Sequence, residues 1–396
     1  MTATAARRTR PPLWRNIRVL RIAVQVVVLV LVVLGIRQLL SNLVTGLEDT
    51  GISTSFDFLD APTGFRIADS NFTPDSPSSE LFLQGIKNTA LVAVVGILLA
   101  SVIGLLVGVA RLSSNWLLAK LATVFVETLR NIPPLVVIIF FFAAMFRDAL
   151  PAIREARRVG SPVGDDTALL LSNSTFAVPS LVRESAFGAW LAVLAVAGAI
   201  AVALWIWRTR VEIATGRPAR RVALSGGILL AAVVLGLLLL DALSMSWPTL
   251  EANRVAGGFR FTTAYAALTL ALALYTASHI AEIIRGSIQA VAKGQFEAAE
   301  ALALTGFQRY RFVILPQALR IAVPPTINQY LNLTKNTSLA VAIGYPDLTN
   351  LTKSLIGNGK PAPQSILILM SIYLVFSLVI SLIVNVLNRR FQLAGR

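Results

Sequence analysis

Five stretches of this chain run for roughly twenty residues or more without a charged side chain, and no other feature limits its fold as much. They are Asn88 to Ala110, Ser185 to Trp207, Val222 to Leu240, Phe261 to Ala281 and Pro361 to Asn388. About twenty helical residues cross the ~30 Å hydrocarbon layer of a bilayer. In that layer every backbone N–H and C=O has to be paired within the segment, so such stretches are read as membrane-crossing helices. Three further stretches carry polar groups. Leu20 to Leu40 has Arg21 and Arg37 near its ends, where long side chains reach the headgroups. Ala122 to Phe146 begins with Glu127, Arg130 and the Pro133-Pro134 pair, and Ile321 to Tyr345 contains Lys335. The expected fold is therefore an all-α polytopic membrane protein with about eight transmembrane helices.

Of the 396 residues, 56% are hydrophobic and 14% charged, against about a quarter charged in soluble domains. There is no cysteine and one histidine, His279, which excludes disulfide scaffolds, thiolate metal sites and imidazole clusters. Lys and Arg exceed Asp and Glu by 35 to 20, a net +15. The positions of those charges give a topology, and no nucleic-acid partner is needed. Arg7, Arg8, Arg10, Arg15, Arg18 and Arg21 precede the first span with no acidic residue among them, whereas Ser41 to Glu80 has one basic residue, Arg66, against seven acidic ones. The positive-inside rule puts the N-terminus in the cytoplasm, and alternation puts Arg208 to Arg221, Arg285 to Arg320 and the tail with Arg389, Arg390 and Arg396 on the same side. The first span is read as a retained anchor, because no small-x-small cleavage site follows it. Arg147 to Glu184 falls outside, yet carries five basic and five acidic residues. Gly104 and Gly108 make a small-xxx-small pair for close helix approach, and Trp190, Trp205 and Trp207 flank the fourth span as interface anchors.

Between the sixth and seventh spans lies a cytoplasmic stretch unlike a connector, Gly294 to Gly306 followed by Phe307 to Pro316. Ala, Glu and Leu favour a helix over Phe296 to Leu304, with Gly306 suited to end it. By composition alone it reads equally as a solvated surface helix. Glu297-Ala298-Ala299, the small Ala303, and then Val313, Leu315 and Pro316 resemble the EAA loop of permease subunits in binding-protein-dependent ABC importers. Ala303 stands where glycine is usual in that family, and Val313 where isoleucine is usual. Further runs resemble its polar amino-acid (histidine/glutamine) branch: Asn88-Thr89, Arg111 to Ser113, Val126 to Leu135, Ala281 to Gly286 and Gln329 to Leu339. Overall length, the leading anchor, an extra hairpin and Gly344 to Asp347 look most like the longer subunits of general L-amino-acid permeases.

The resemblance implies an ABC type I importer permease core of five spans, here with an N-terminal anchor and an added hairpin. The expected division is an arm, anchor and periplasmic loop over 1–80, a first part of the core over 81–146, an inserted loop and hairpin over 147–260, and a second part of the core over 261–396. The last part holds the EAA loop within 286–320. The resemblance also implies a multi-pass protein of the bacterial inner membrane with both termini cytoplasmic. Its implied partners are a dimeric cytoplasmic ABC ATPase, a second permease subunit (paralogue or self) and a periplasmic amino-acid-binding protein. Glu297, Ala298, Ala299, Ala303, Gly306, Leu315 and Pro316 would form the ATPase-coupling loop. The chain is not expected to be an enzyme or to bind a cofactor; ATP would be used by the partner. No G-x-x-x-x-G-K-[ST] loop is present, since Gly357 to Lys360 is followed by Pro361 and preceded by Ser354 where the first glycine should stand.

Charge near the bilayer centre costs on the order of 3 kcal/mol, so intramembrane polar residues need a reason. Glu127 and Arg130, and likewise Glu282 and Arg285, are spaced to pair on one helix face. A structural or gate-forming role and substrate contact are both open for them. The proline break after Asn131 marks the third span, and Asn328, Asn332, Lys335, Asn336, Thr337 and Ser338 mark the seventh. The candidate substrate pathway is thus Glu127, Arg130, Asn131, Asn332, Lys335, Asn336, Thr337 and Ser338. Lys335 would attract a carboxylate, or alternatively snorkel beside an interhelical hydrogen-bond cluster. A secondary transporter would leave the Glu-Ala-Ala segment without purpose, and Ser278-His279 lacks an embedded aspartate for hydrolysis.

Overall fold

The computed structural model describes residues 17–49, 51, 55–67, 72–160, 167–216, 220–251 and 254–393. Arg7 to Arg15 of the basic arm and Arg396 lie outside them. In chain order the helices are α1 (Ile17–Asp49), α2 (Ser78–Ala110), α3 (Trp116–Asn131) and α4 (Pro134–Phe140), the last running into a π-helical turn, Phe141–Asp148. After four strands come α5 (Phe187–Thr215) and α6 (Arg221–Leu239), and after four more α7 (Thr263–Gln289), α8 (Lys293–Ala301) and α9 (Gly306–Arg309). A second π turn, Tyr310–Ile314, leads into α10 (Leu315–Asn336), then a 3₁₀ segment, α11 (Leu348–Gly357) and α12 (Ala362–Leu393).

Six of these helices, rather than eight, are long and apolar enough to cross a membrane unaided: α1, α2, α5, α6, α7 and α12. The expected third span is a pair, α3 and α4 with its π turn, bent by 108°. Counting the pair as one crossing gives seven. The bend has a local cause. Ile132 and Pro133 are extended, as a residue before proline prefers, and two successive prolines cannot donate to the helix ladder. The expected seventh span is too polar to qualify. It is α10, with Pro324 and Pro325 inside it and Lys335 in its last turn.

Two compact units divide the chain, residues 1–86 with 351–375 and residues 87–350 with 376–396. In the first, α1 is apolar on every side and almost wholly exposed, which suits a helix surrounded by lipid. The loop before α2 is tied to that helix's first residue, Ser78, whose N–H and hydroxyl both donate to the Ala61 carbonyl (3.0 and 3.1 Å).

In the second unit the core gathers around α7, with Leu268, Leu272 and Ile280 packed with Val92, Ile138 and Leu333. The small-residue pair on α2 meets α7, as its spacing suggests. A Cβ on Gly104 would stand 2.8 Å from Ile280 Cβ, and one on Gly108 2.8 Å from the Ala281 carbonyl oxygen. Trp190 packs against Gly236 across the α5–α6 hairpin, while Arg221 lies over Trp205 and Arg208 over Trp207 at its far end.

Strands do occur, and among the described residues all are in the segment between the π turn and α7. β1 (Arg157–Gly160), β2 (Thr167–Leu171) and β3 (Thr175–Val178) form an antiparallel sheet whose fourth member is β8 (Phe259–Thr262). β4 (Ser180–Arg183) pairs with β5 (Leu243–Ser246), and β6 (Thr249–Glu251) with β7 (Arg254–Ala256). β4 leads into α5 and β5 follows α6, so their pairing closes the open end of the hairpin; the Glu184 N–H donates to the Ala242 carbonyl there (3.1 Å). The Arg147 to Glu184 loop must therefore lie on the same side as 241–262. Its balanced charge, which fits the positive-inside rule poorly, belongs to a folded β unit rather than to a short connector.

Candidate functional site

The EAA-like segment is a helix–turn–helix beyond the end of α7. α8 ends in a Schellman-type turn in which the Leu304 N–H donates to the Ala299 carbonyl (3.2 Å) and the Ala303 N–H to that of Glu300 (2.8 Å). Ala303 takes the left-handed conformation, φ 54°, that this turn requires. The expected terminator, Gly306, instead opens α9 behind a capping box formed by Thr305 and Gln308. The physical reason is that the turn is completed at Ala303, before Gly306 is reached. Beneath the segment, Ile288, Val291, Ile314 and Ala318 form a small core joined by Leu112, Phe296 and Val313. Gln317 on α10 donates to Gln295 (3.0 Å), tying the two arms together.

The seven expected coupling residues do not share one face. Glu297, Ala298, Ala303 and Gly306 are exposed, as are Leu315 and Pro316 at the start of α10. Ala299 is 2% exposed and turned inward, onto the chain's own core. Leu302 and Phe307, 74% and 72% exposed, present apolar surface that motif reading alone did not single out.

The expected Glu127–Arg130 pair is absent among the described residues, although Glu282 and Arg285 do pair (2.5 Å). Glu127 bonds Arg111 instead (3.3 Å), and the same guanidinium bonds Glu282. One ionic node thus joins the turn after α2 to α3 and α7, and within α7 Arg285 also donates to Gln289 (2.6 Å). The i,i+3 spacing of Glu127 and Arg130 was legible, but the competing cation lies sixteen residues upstream and arrives only through folding. Arg130 is exposed, and the Asn131 amide is spent on the Glu127 carbonyl of its own helix (2.7 Å).

On α10, Asn332 and Lys335 are exposed and Asn336 is half-buried. Thr337 is fully buried with its hydroxyl donating to the Thr334 carbonyl (2.8 Å), and Ser338 caps the Lys335 carbonyl (2.8 Å). The polar groups of this stretch thus split between backbone bonding and open surface. Beyond it, Asn88 donates to the Pro346 carbonyl (2.7 Å) and the Leu348 N–H to Thr89 (3.0 Å). Asp347 accepts from the Asn350 N–H (2.8 Å), capping α11. His279 bonds the Tyr275 carbonyl through Nδ1 (3.0 Å) and lies against the Tyr275 ring.

Residues 96–393 match the family described as the binding-protein-dependent transport system inner membrane component. The chain belongs to that family. The permease is thus a multi-pass inner-membrane subunit of an ABC transporter, a transport protein and not an enzyme. It is 39% identical over 94% of its length to the putative amino-acid ABC transporter permease protein YhdX of Escherichia coli, covering 94% of that protein. It is 38% identical to the general L-amino acid transport system permease protein AapQ of Rhizobium johnstonii, over 94% of this chain and 92% of that one. A third relative is the glutamate/glutamine/aspartate/asparagine transport system permease protein BztB of Rhodobacter capsulatus, 35% identical over 95% and 94%. In the permease, among the described residues, no group of three or more His, Cys, Asp or Glu side chains is placed to hold a metal ion.

Proposed function

We propose that the permease forms part of the membrane passage of an importer for L-amino acids, driven by a cytoplasmic ATPase and supplied by a periplasmic binding protein. The observation that carries this reading is the correspondence along 94% or more of the chain to relatives whose names all specify amino-acid transport. The helix–turn–helix at α8 and α9 is the ATPase-docking surface. Its support is an anchored base beneath an exposed apolar tip, Leu302 and Phe307. The core is built from 81–146 and 261–396, with 147–260 an insertion between its halves.

α10 makes an eighth crossing inside the bundle, where neighbouring helices rather than lipid meet its polar groups. Near its start Ile314 and Ala318 pack with Leu112, and past its end Leu348 bonds Thr89. Asn88 to Ala110 of α2 covers about 33 Å at ~1.5 Å per residue, the thickness of the hydrocarbon layer. That path puts both termini in the cytoplasm. Lys335 and Asn332, exposed on α10, are the groups best placed to meet a substrate carboxylate. Lys335→Met is expected to lower uptake of several amino acids together while assembly is unchanged; a loss of assembly would make the lysine structural.

The test of the function is reconstitution of the permease with its co-purifying chains in vesicles, using a ¹⁴C-labelled L-amino-acid mixture. Uptake should require internal ATP and the binding protein. Uptake driven by an ion gradient without ATP would remove the reading.

A further inference from the structure

Arg111 and Leu112 are neighbours in the turn that leaves α2, and they face different structures. Leu112 packs, as Phe296 and Val313 also do, against the buried cluster of Ile288, Val291, Ile314 and Ala318 under the proposed docking segment. Arg111, its side chain only 9% exposed, bonds Glu127 on α3 and Glu282 on α7. A guanidinium presents five donors in a planar fork and can hold two carboxylates at once, which a lysine ammonium does less well. Beyond Glu127, the α3 helix reaches the 108° break at Pro133. The Arg111 Nε is buried without a hydrogen-bond partner, so the node leaves a donor unused in this arrangement. Glu282 is also shared with Arg285, so that carboxylate has a second cation to retain if Arg111 lets go.

We propose that Arg111 is a positioning residue for the transport step, carrying displacement of the docking segment to α3 and the broken pair. The path has two contiguous legs. The apolar leg runs from Phe296 through the buried Ile288, Val291, Ile314 and Ala318 cluster to Leu112, and the ionic leg from Arg111 to Glu127. The proposal rests on the reading of α8 and α9 as the ATPase-docking surface.

The test uses the whole importer in vesicles, with ATP hydrolysis and uptake of the ¹⁴C-labelled L-amino-acid mixture measured on the same preparation. Glu127→Gln is the decisive variant. Glu127 is 55% exposed, so losing its charge should leave folding and assembly intact. With Glu127→Gln and Arg111→Met, ATP consumed per amino acid taken up should rise about fivefold or more, the lower range of measured couplings between sites. Arg111→Lys should restore part of the ratio. A merely structural tie would lower assembly, and with it both rates in proportion. An unchanged ratio in assembled Glu127→Gln overturns the proposal, as does loss of Arg111→Met from the membrane with Glu127→Gln fully coupled. Absence of ATP-dependent uptake in the wild-type complex would instead remove the function on which it rests.

Discussion

Ala303 illustrates how one side chain carries a backbone requirement. Its φ of 54° lies where a Cβ is crowded, at a cost of about 1 kcal/mol or more, and glycine avoids that cost. Ala303→Gly is therefore expected to stabilise the α8 turn by about 1 kcal/mol, read as slower amide exchange at 302–305. A glycine at this position would thus serve the backbone conformation and not merely small size. Ala298 and Ala299 differ as sharply, although they are adjacent in one motif. Ala298 faces outward and Ala299 is buried. Ala298→Arg should weaken ATPase retention on the assembled complex about tenfold, equivalent to ~1.4 kcal/mol, with the permease itself intact. Ala299→Arg should instead lower the amount of folded permease, because it inserts a charge into the chain's own packing. Equal behaviour of the two variants would contradict the orientation of α8.

At the scale of helices, the contact between α2 and α7 depends on the absence of side chains. Gly104→Leu would drive new atoms into Ile280 and the Ala277 carbonyl, each within about 3 Å of where a Cβ must stand. Overpacking of this kind typically costs about 1–3 kcal/mol. The solubilised permease should accordingly melt at a lower temperature, whereas Gly35→Leu on the exposed α1, where a Cβ meets nothing within 4 Å, should leave melting unchanged. The broken third span follows the same logic in reverse. Two prolines remove donors, Ile132 is forced extended, and the helix turns through 108° instead of continuing.

For the whole molecule, sidedness is the property that strand pairing constrains most. β3 pairs with β8 and β4 with β5, so residues on both flanks of the α5–α6 hairpin share one side of the membrane. Labelling is direct because the chain contains no cysteine. Single cysteines at Asp60, Arg157 and Phe259 should react with an impermeant maleimide from outside, and one at Leu302 only after permeabilisation. Lys353→Cys decides the path of α10: outside labelling means that α10 crosses, and inside labelling means that it turns back. A split between Arg157 and Phe259 would rule out the sheet.

Uncharged length determined that this is a helical membrane protein, and the distribution of arginines set the orientation to be expected of it, because insertion responds to local hydropathy and flanking charge. The motif between α7 and α10 was legible for the same reason, its residues being consecutive. Tertiary structure alone decided that Arg111, rather than Arg130, is the partner of Glu127, since the choice between cations depends on which helices meet. It also decided that Ala299 faces inward while its neighbour does not. The strands between the π turn and α7 were hidden because each is only three to five residues long and takes its hydrogen bonds from segments as much as 87 residues away, as Thr175 does from Thr262. Whether a polar helix such as α10 has a place in the membrane is likewise a matter of what surrounds it. Its own composition argues against lipid contact, and only the packing of α2 and α7 supplies the alternative.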